Sequence, residues 1–258
     1  GNRANSGPGG GLYLEGSETQ CEIMDCSFLN NFSASDGSAI NSAGTGLTIE
    51  GSSFLDNVTE GGGTIASVVT GFTMTNTLMY GNSGRDGGAI MCNGSNSTLT
   101  NCTIVGNNDT EVDPGLNSSA ILVTTGNSSF TIVNSIIWDN EINFDDYDGG
   151  TLNISYSDVQ GDESGIIISD NNTGTMNWGE GNINSPPNFC NQDSSDFTLS
   201  ENSPCLGTGQ DGANMGALDV GCTEIPGIEI NNINNSYNSY EQITLTWEFP
   251  EHNPFVGN

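Results

Sequence analysis

The stretch 143-NFDDYDGG-150 sets Asn143, Asp145, Asp146 and Asp148 ahead of two glycines. These are hard oxygen donors close together in sequence, the ligand chemistry that encloses Ca²⁺. The spacing differs from that of an EF-hand, and no glutamate closes the loop at the twelfth position. A second kind of chemistry is suggested by Tyr80 and Trp138, which occupy equivalent positions in a repeat, with Tyr156 nearby. An aromatic strip beside carboxylates is the surface on which a neutral glycan is held, and two carboxylates suffice to hydrolyse one. Asp86, Asp109, Glu111, Asp113, Asp145, Asp146 and Asp148 are all available, but such abundance singles out no pair, and solvated loop charge is the plainer reading. No Cys/His spacing suits zinc, and no glycine-rich phosphate loop stands between a strand and a helix.

Charge narrows the ligand classes. The chain of 258 residues carries 32 acidic side chains against two basic ones, Arg3 and Arg85, for a formal charge of −30. Such a field repels nucleic acid, anionic membranes and polyuronates, and draws cations. A polyuronate lyase or hydrolase needs cationic contacts. The repeat region offers Arg85, and the single His252 lies in the tail. No window approaches the roughly 20 apolar residues of a membrane-spanning helix. Seven cysteines in so acidic a chain fit an oxidising, extracytoplasmic setting.

The elements that position these side chains follow from an internal repeat. Six segments align: 22-EIMDCSFLNN-31, 48-TIEGSSFLDN-57, 73-TMTNTLMYGN-82, 98-TLTNCTIVGN-107, 131-TIVNSIIWDN-140 and 153-NISYSDVQGD-162. Their ends are spaced by 26, 25, 25, 33 and 22 residues, so each repeat is one coil of a β-solenoid and the long step places an insertion around Asp109–Asn117. The second and seventh columns are apolar, Ile23-Ile49-Met74-Leu99-Ile132-Ile154 and Phe28-Phe54-Met79-Ile104-Ile137-Val159. One coil cannot bury such a face alone, so the stack is the cooperative unit. The fifth column is always small: Cys26, Ser52, Thr77, Cys102, Ser135, Ser157.

The fourth column, Asp25-Gly51-Asn76-Asn101-Asn134-Tyr156, is made largely of residues that tolerate left-handed backbone, as a sharp corner requires. The tenth column, Asn31, Asn57, Asn82, Asn107 and Asn140, predicts an amide ladder bonded from coil to coil. A further strand opens each coil, as in 62-GGTIAS-67 and 87-GGAIMC-92. Thr48, Thr73, Thr98 and Thr131 form an outer file that could bind ice, although β-propensity explains threonine on an exposed sheet equally well.

Coils of the form 9-GGGLYL-14 followed by 101-NCTIVGN-107 resemble bacterial right-handed parallel β-helix repeats, including those of polymorphic outer-membrane proteins. The segments 152-LNISYSDVQGD-162, 174-GTMNWGEGNINSPPNF-189, 196-DFTLSENSPCLGTG-209 and 216-GALDVGC-222 are similar to the C-terminal end of secreted β-helix proteins that carry a surface-anchoring or sorting module. The resemblance covers residues 1–222 and implies an all-β fold, secretion and a cell-surface role. It implies no reaction.

Residues 223–258, with 228-IEINNI-233 and 242-QITLTWEF-249, look like a linker and the first strands of an immunoglobulin- or fibronectin-like sandwich, incomplete at that length. Residues 1–222 are expected to form the β-helix with a C-terminal cap, and at that cap a Cys190–Cys205 disulfide is expected, with Cys222 as the competitor. The expected protein is a non-catalytic extracellular rod. It associates with itself through open coil edges or with surface and matrix components, and binds Ca²⁺ or neutral glycans.

Overall fold

The computed structural model describes residues 1–16, 20–93, 96–110, 120–124, 129–144, 149–168 and 173–223. The chain divides into two compact units, Gly1–Glu224 and Ile225–Asn258. The first is a parallel β-solenoid. Each coil contributes up to four short strands, for example Ile65–Val68, Phe72–Thr75, Leu78–Tyr80 and Ser83–Gly84. Stacked over one another, these make four faces of seven, seven, six and five strands. The fourth face consists of two-residue strands such as Val58–Thr59, too short to leave a periodic signal in the sequence.

Register follows the sequence columns residue for residue. Phe28 pairs with Phe54, Met79 with Phe54 and Ile104 with Met79 on the third face. Ile23, Ile49, Met74, Leu99, Ile132 and Ile154 are likewise in line on the second. Because side chains alternate across a strand, a slip by one residue would turn these files out to solvent. All of them belong to one continuous buried core, apart from half-buried Phe28, which packs against its edge. Phe28 and Phe54 stack face to face, with ring centres 4.9 Å apart.

Between the second and third faces one residue makes the turn. Asp25, Gly51, Asn76, Asn101, Asn134 and Tyr156 all have φ between 49° and 58°, so Tyr156, the residue least suited by type, takes the same left-handed corner. A second left-handed corner precedes the amide ladder at Asn30, Asp56, Gly81, Gly106 and Asp139. That ninth column carries the same Asn/Asp/Gly signal and is equally readable.

The ladder forms as its spacing requires. Asn31 Nδ2 donates to Asn57 Oδ1 (2.9 Å), Asn57 to Asn82 (2.9 Å), Asn82 to Asn107 (2.8 Å) and Asn107 to Asn140 (3.2 Å). Each of these acceptors also takes the backbone N–H of the preceding asparagine. The small fifth column forms a second ladder. The hydroxyls of Ser52, Ser135 and Ser157 accept the backbone N–H of Cys26, Cys102 and Ser135, and each donates to the carbonyl two residues before it. Both ladders satisfy backbone groups at corners where no sheet hydrogen bond can reach.

Candidate functional site

Beyond the last coil the chain turns back along the outside of the third face. A three-stranded sheet of Phe189–Asn191, Asp196–Ser200 and Val220–Cys222 brings Leu199, Cys205 and Met215 onto Ile136, forming a second, smaller core. The contact is polar along its edge. Gln210 N–H donates to Asn134 Oδ1 (2.7 Å), Gly216 N–H to the Asn134 carbonyl (2.7 Å) and Ala217 N–H to Thr103 Oγ1 (2.9 Å). Gly216 is required for this approach: a Cβ there would lie 2.7 Å from Ile136 Cδ1 and 2.8 Å from Thr103 Oγ1.

The cap uses two of the three aromatic residues expected to hold a glycan. The Tyr80 ring lies against Phe197, centre to centre 4.5 Å, and Trp138 is partly buried on the second core. Tyr156 stands apart at its corner. Its hydroxyl donates to Glu180 Oε1 (2.7 Å), which raises its pKa above the ordinary tyrosine value. Tyr80 and Trp138 are thus partly covered by the cap.

The cysteine expectation is corrected. The disulfide joins Cys190 to Cys222, across the two outer strands of the cap sheet. Cys205 is buried against the third face, where its thiol donates to Asp158 Oδ2 (3.1 Å). Asp158 is itself fully buried, and its Oδ1 accepts from Ser185 N–H (3.1 Å). Burial pushes the Asp158 carboxyl up to about 6, and burial followed by the nearby carboxylate pushes the Cys205 thiol up well beyond its ordinary value. A carboxyl–thiol pair closing the cap onto the rod has no signature in sequence, because its members lie 47 residues apart. Cys102 is buried in the small column, and desolvation lifts its thiol to about 12. Cys26, in the same column, is exposed.

Of the expected Ca²⁺ ligands, Asn143 lies on the first face, in register with Leu122 and Ile167. It is only 6% exposed, and its Oδ1 has no hydrogen-bond partner. Asp145, Asp146 and Asp148 lie outside the described residues, as do most of the insertion and residues 224–258. Among the described residues no three His, Cys, Asp or Glu side chains gather as a metal would require. Nor is any helix there long and apolar enough to cross a membrane.

Cavities are lined by described residues in two places. One, of about 600 Å³, lies at the end of the stack, where the inward residues Ile168, Met176 and Trp178 meet Asp162 and Glu163. The other, of about 490 Å³, lies between the corner residues Gly51, Asn76 and Asn101 and the returning segment Ala213–Asp219. On the second face Thr48, Thr73, Thr98 and Thr131 stand in a single register file. The chain matches no family model, no curated protein and no solved structure.

Proposed function

We propose that this protein is a non-catalytic structural or adhesive element of an extracellular surface, a rigid β-helical rod that displays its loops and binds cations. The observation that carries the reading is the unbroken amide ladder from Asn31 to Asn140, backed by a hydroxyl ladder one corner away. A fold locked coil by coil is suited to holding spacing, and a charge of −30 keeps such a rod apart from anionic partners while gathering cations. The Cys190–Cys222 disulfide supports an oxidising location. The resemblance to bacterial polymorphic outer-membrane-protein-like repeats with an anchoring end belongs to the same reading. So does Ca²⁺ held by Asn143 with Asp145, Asp146 and Asp148, since Asn143 Oδ1 is buried without a donor. Adhesion is tested on glycan and matrix-protein arrays, with a reducing-sugar assay beside them. Binding without release of sugar ends supports the reading, and turnover of any arrayed glycan overturns it.

One observation favours a second reading, that of a neutral-glycan binder or carbohydrate-active enzyme. At the end of the stack Trp178 lies beside Asp162 and Glu163 in an open cavity, the pairing of aromatic platform and acids that sugar chemistry uses. Trp178→Ala abolishing a glycan signal on the same arrays supports it; an unchanged signal removes it.

A further inference from the structure

The inward files are sealed along the stack and open at both of its ends. On the first face Phe144 is fully buried, while Ile168, its partner in the last coil, is 49% exposed. On the second face Leu152 and Ile154 are buried, whereas their partners Met176 and Trp178 are only half-buried. The first coil mirrors this at the other end. Leu12, Leu14 and Cys21 are half-buried, although their partners Ile40, Ser42 and Leu47 are buried. The strands that carry these residues are edges. Leu12–Glu15 and Gln20–Met24 end the first and second faces at the first coil, and Ile166–Ile168 and Thr175–Trp178 end the same two faces at the last. An edge strand presents a row of backbone donors and acceptors that another strand can pair with.

The two ends match one another. One inward file runs unbroken between them, from Leu12 through five isoleucines to Ile166, so each end offers the half of the coil-to-coil contact that the other lacks. Setting the first coil of one copy on the last coil of another continues both sheets as parallel pairs. Leu14 then lies over Ile168 and Cys21 over Met176, and apolar side chains fill the recess of about 600 Å³ beside Ile168, Met176 and Trp178. A lone extended peptide pairs with one edge, whereas a coil of this same solenoid meets both at once. We propose that the two ends of the stack are a self-recognition surface, the first coil of one copy docking on the last coil of the next. The contact is heterologous and does not close on itself, so it builds linear chains. Charge opposes it. The copies each carry −30, and exposed Glu22 at one end faces Asp162 and Glu163 at the other. Salt screens such repulsion within about 8 Å at physiological ionic strength, so association strengthens as NaCl is added. The inference rests on the rod reading only for the coil stack, and names the partner of the rod's ends. Arrays of glycans and matrix proteins test adhesion without bearing on it.

The test is sedimentation velocity of the whole chain over a wide concentration range, at low and at high NaCl. The parent is expected to grow past the dimer as concentration rises, more so at high NaCl. Leu14→Asp blocks one end and Ile168→Asp the other, each placing a charge in an apolar contact, and each alone is expected to weaken association by about tenfold or more. Mixed in equal amounts, the two variants have one live end apiece and should form dimers that grow no further. Leu14→Cys with Ile168→Cys in one chain preserves apolar ends, and these positions lie at opposite ends of a single stack. Oxidised glutathione should then join positions 14 and 168 between chains through a disulfide, releasing two reduced glutathiones, as peptide mapping would show. A parent that stays monomeric at both salt levels overturns the proposal. So does a blocked variant that still associates like the parent, which assigns the contact to the sides of the rod or to like ends, and so does the absence of a peptide linking 14 to 168.

Discussion

Asn107 and Asn140 are 33 residues apart, yet Asn107 Nδ2 donates to Asn140 Oδ1 at 3.2 Å in the pattern that joins Asn82 to Asn107 across 25 residues. The ladder bond is thus the same across the longer step as across the shorter one. Loop closure costs little for added length, whereas breaking the register would expose several buried files at once. The regular part of the coil keeps its register and its ladder across the step of 33 residues.

Replacing Asn82 should damage the fold more than any surface change. Its amide is fully buried, donates to Phe54 O and Asn107 Oδ1, and accepts from both nitrogens of Asn57. Asn82→Ala is expected to cost about 3–5 kcal/mol, the sum of several orphaned buried groups. Asn82→Asp should be nearly as harmful, because the carboxylate keeps the acceptor and loses both donations. Urea unfolding followed by circular dichroism gives the values, and a loss below 1 kcal/mol for Asn82→Ala contradicts the structural role.

The Asp158–Cys205 contact predicts a pH response with a definite sign. Burial raises the Asp158 carboxyl from 3.8 to about 6 in the folded chain, so folding favours the protonated form. The stability it contributes is full below about pH 4 and is lost as pH rises through 6. The swing is on the order of 2–3 kcal/mol. Asp158→Asn should flatten this part of the profile relative to the parent. Parallel melts from pH 4 to 7 supply the comparison, and identical slopes refute the assignment.

Thiol chemistry should separate the cysteines by position. Cys26 is exposed, whereas Cys92, Cys102 and Cys205 are buried, and the Cys102 and Cys205 thiols are held protonated. Only the thiolate reacts. Iodoacetamide on the native protein at pH 8 should label Cys26 first and leave those three untouched until unfolding, as peptide mass spectrometry would reveal.

The cap can be loosened without touching the rod. Gly216→Ala places a methyl against Ile136 and Thr103 at a φ of 92°, for an expected cost of about 2–3 kcal/mol. Reduction of Cys190–Cys222, which spans 32 residues, should cost a further ~3 kcal/mol. Both should appear as faster hydrogen exchange in residues 189–222, with the ladder asparagines unchanged.

The coil stack was legible because a solenoid repeats one local environment. Inward files, the corner at Asn76 and Asn101, and the ladder from Asn31 to Asn140 each recur at the coil period, so similarity in sequence reports similarity in space. The two-residue strands of the fourth face stayed hidden because two residues carry no period.

The contacts of the cap were not legible, since nothing in it repeats. Cys222 rather than Cys205 pairs with Cys190 because the returning strand sets Cys222 beside it while Cys205 turns inward to Asp158. Tyr80 and Trp138 were visible as equivalent positions, but only the folded chain covers them with the cap. The sequence by itself determined the stack, through period and residue type. Tertiary structure alone decided what lies against its outer faces, because those contacts join residues with no common spacing and depend on the path of the chain after its last coil.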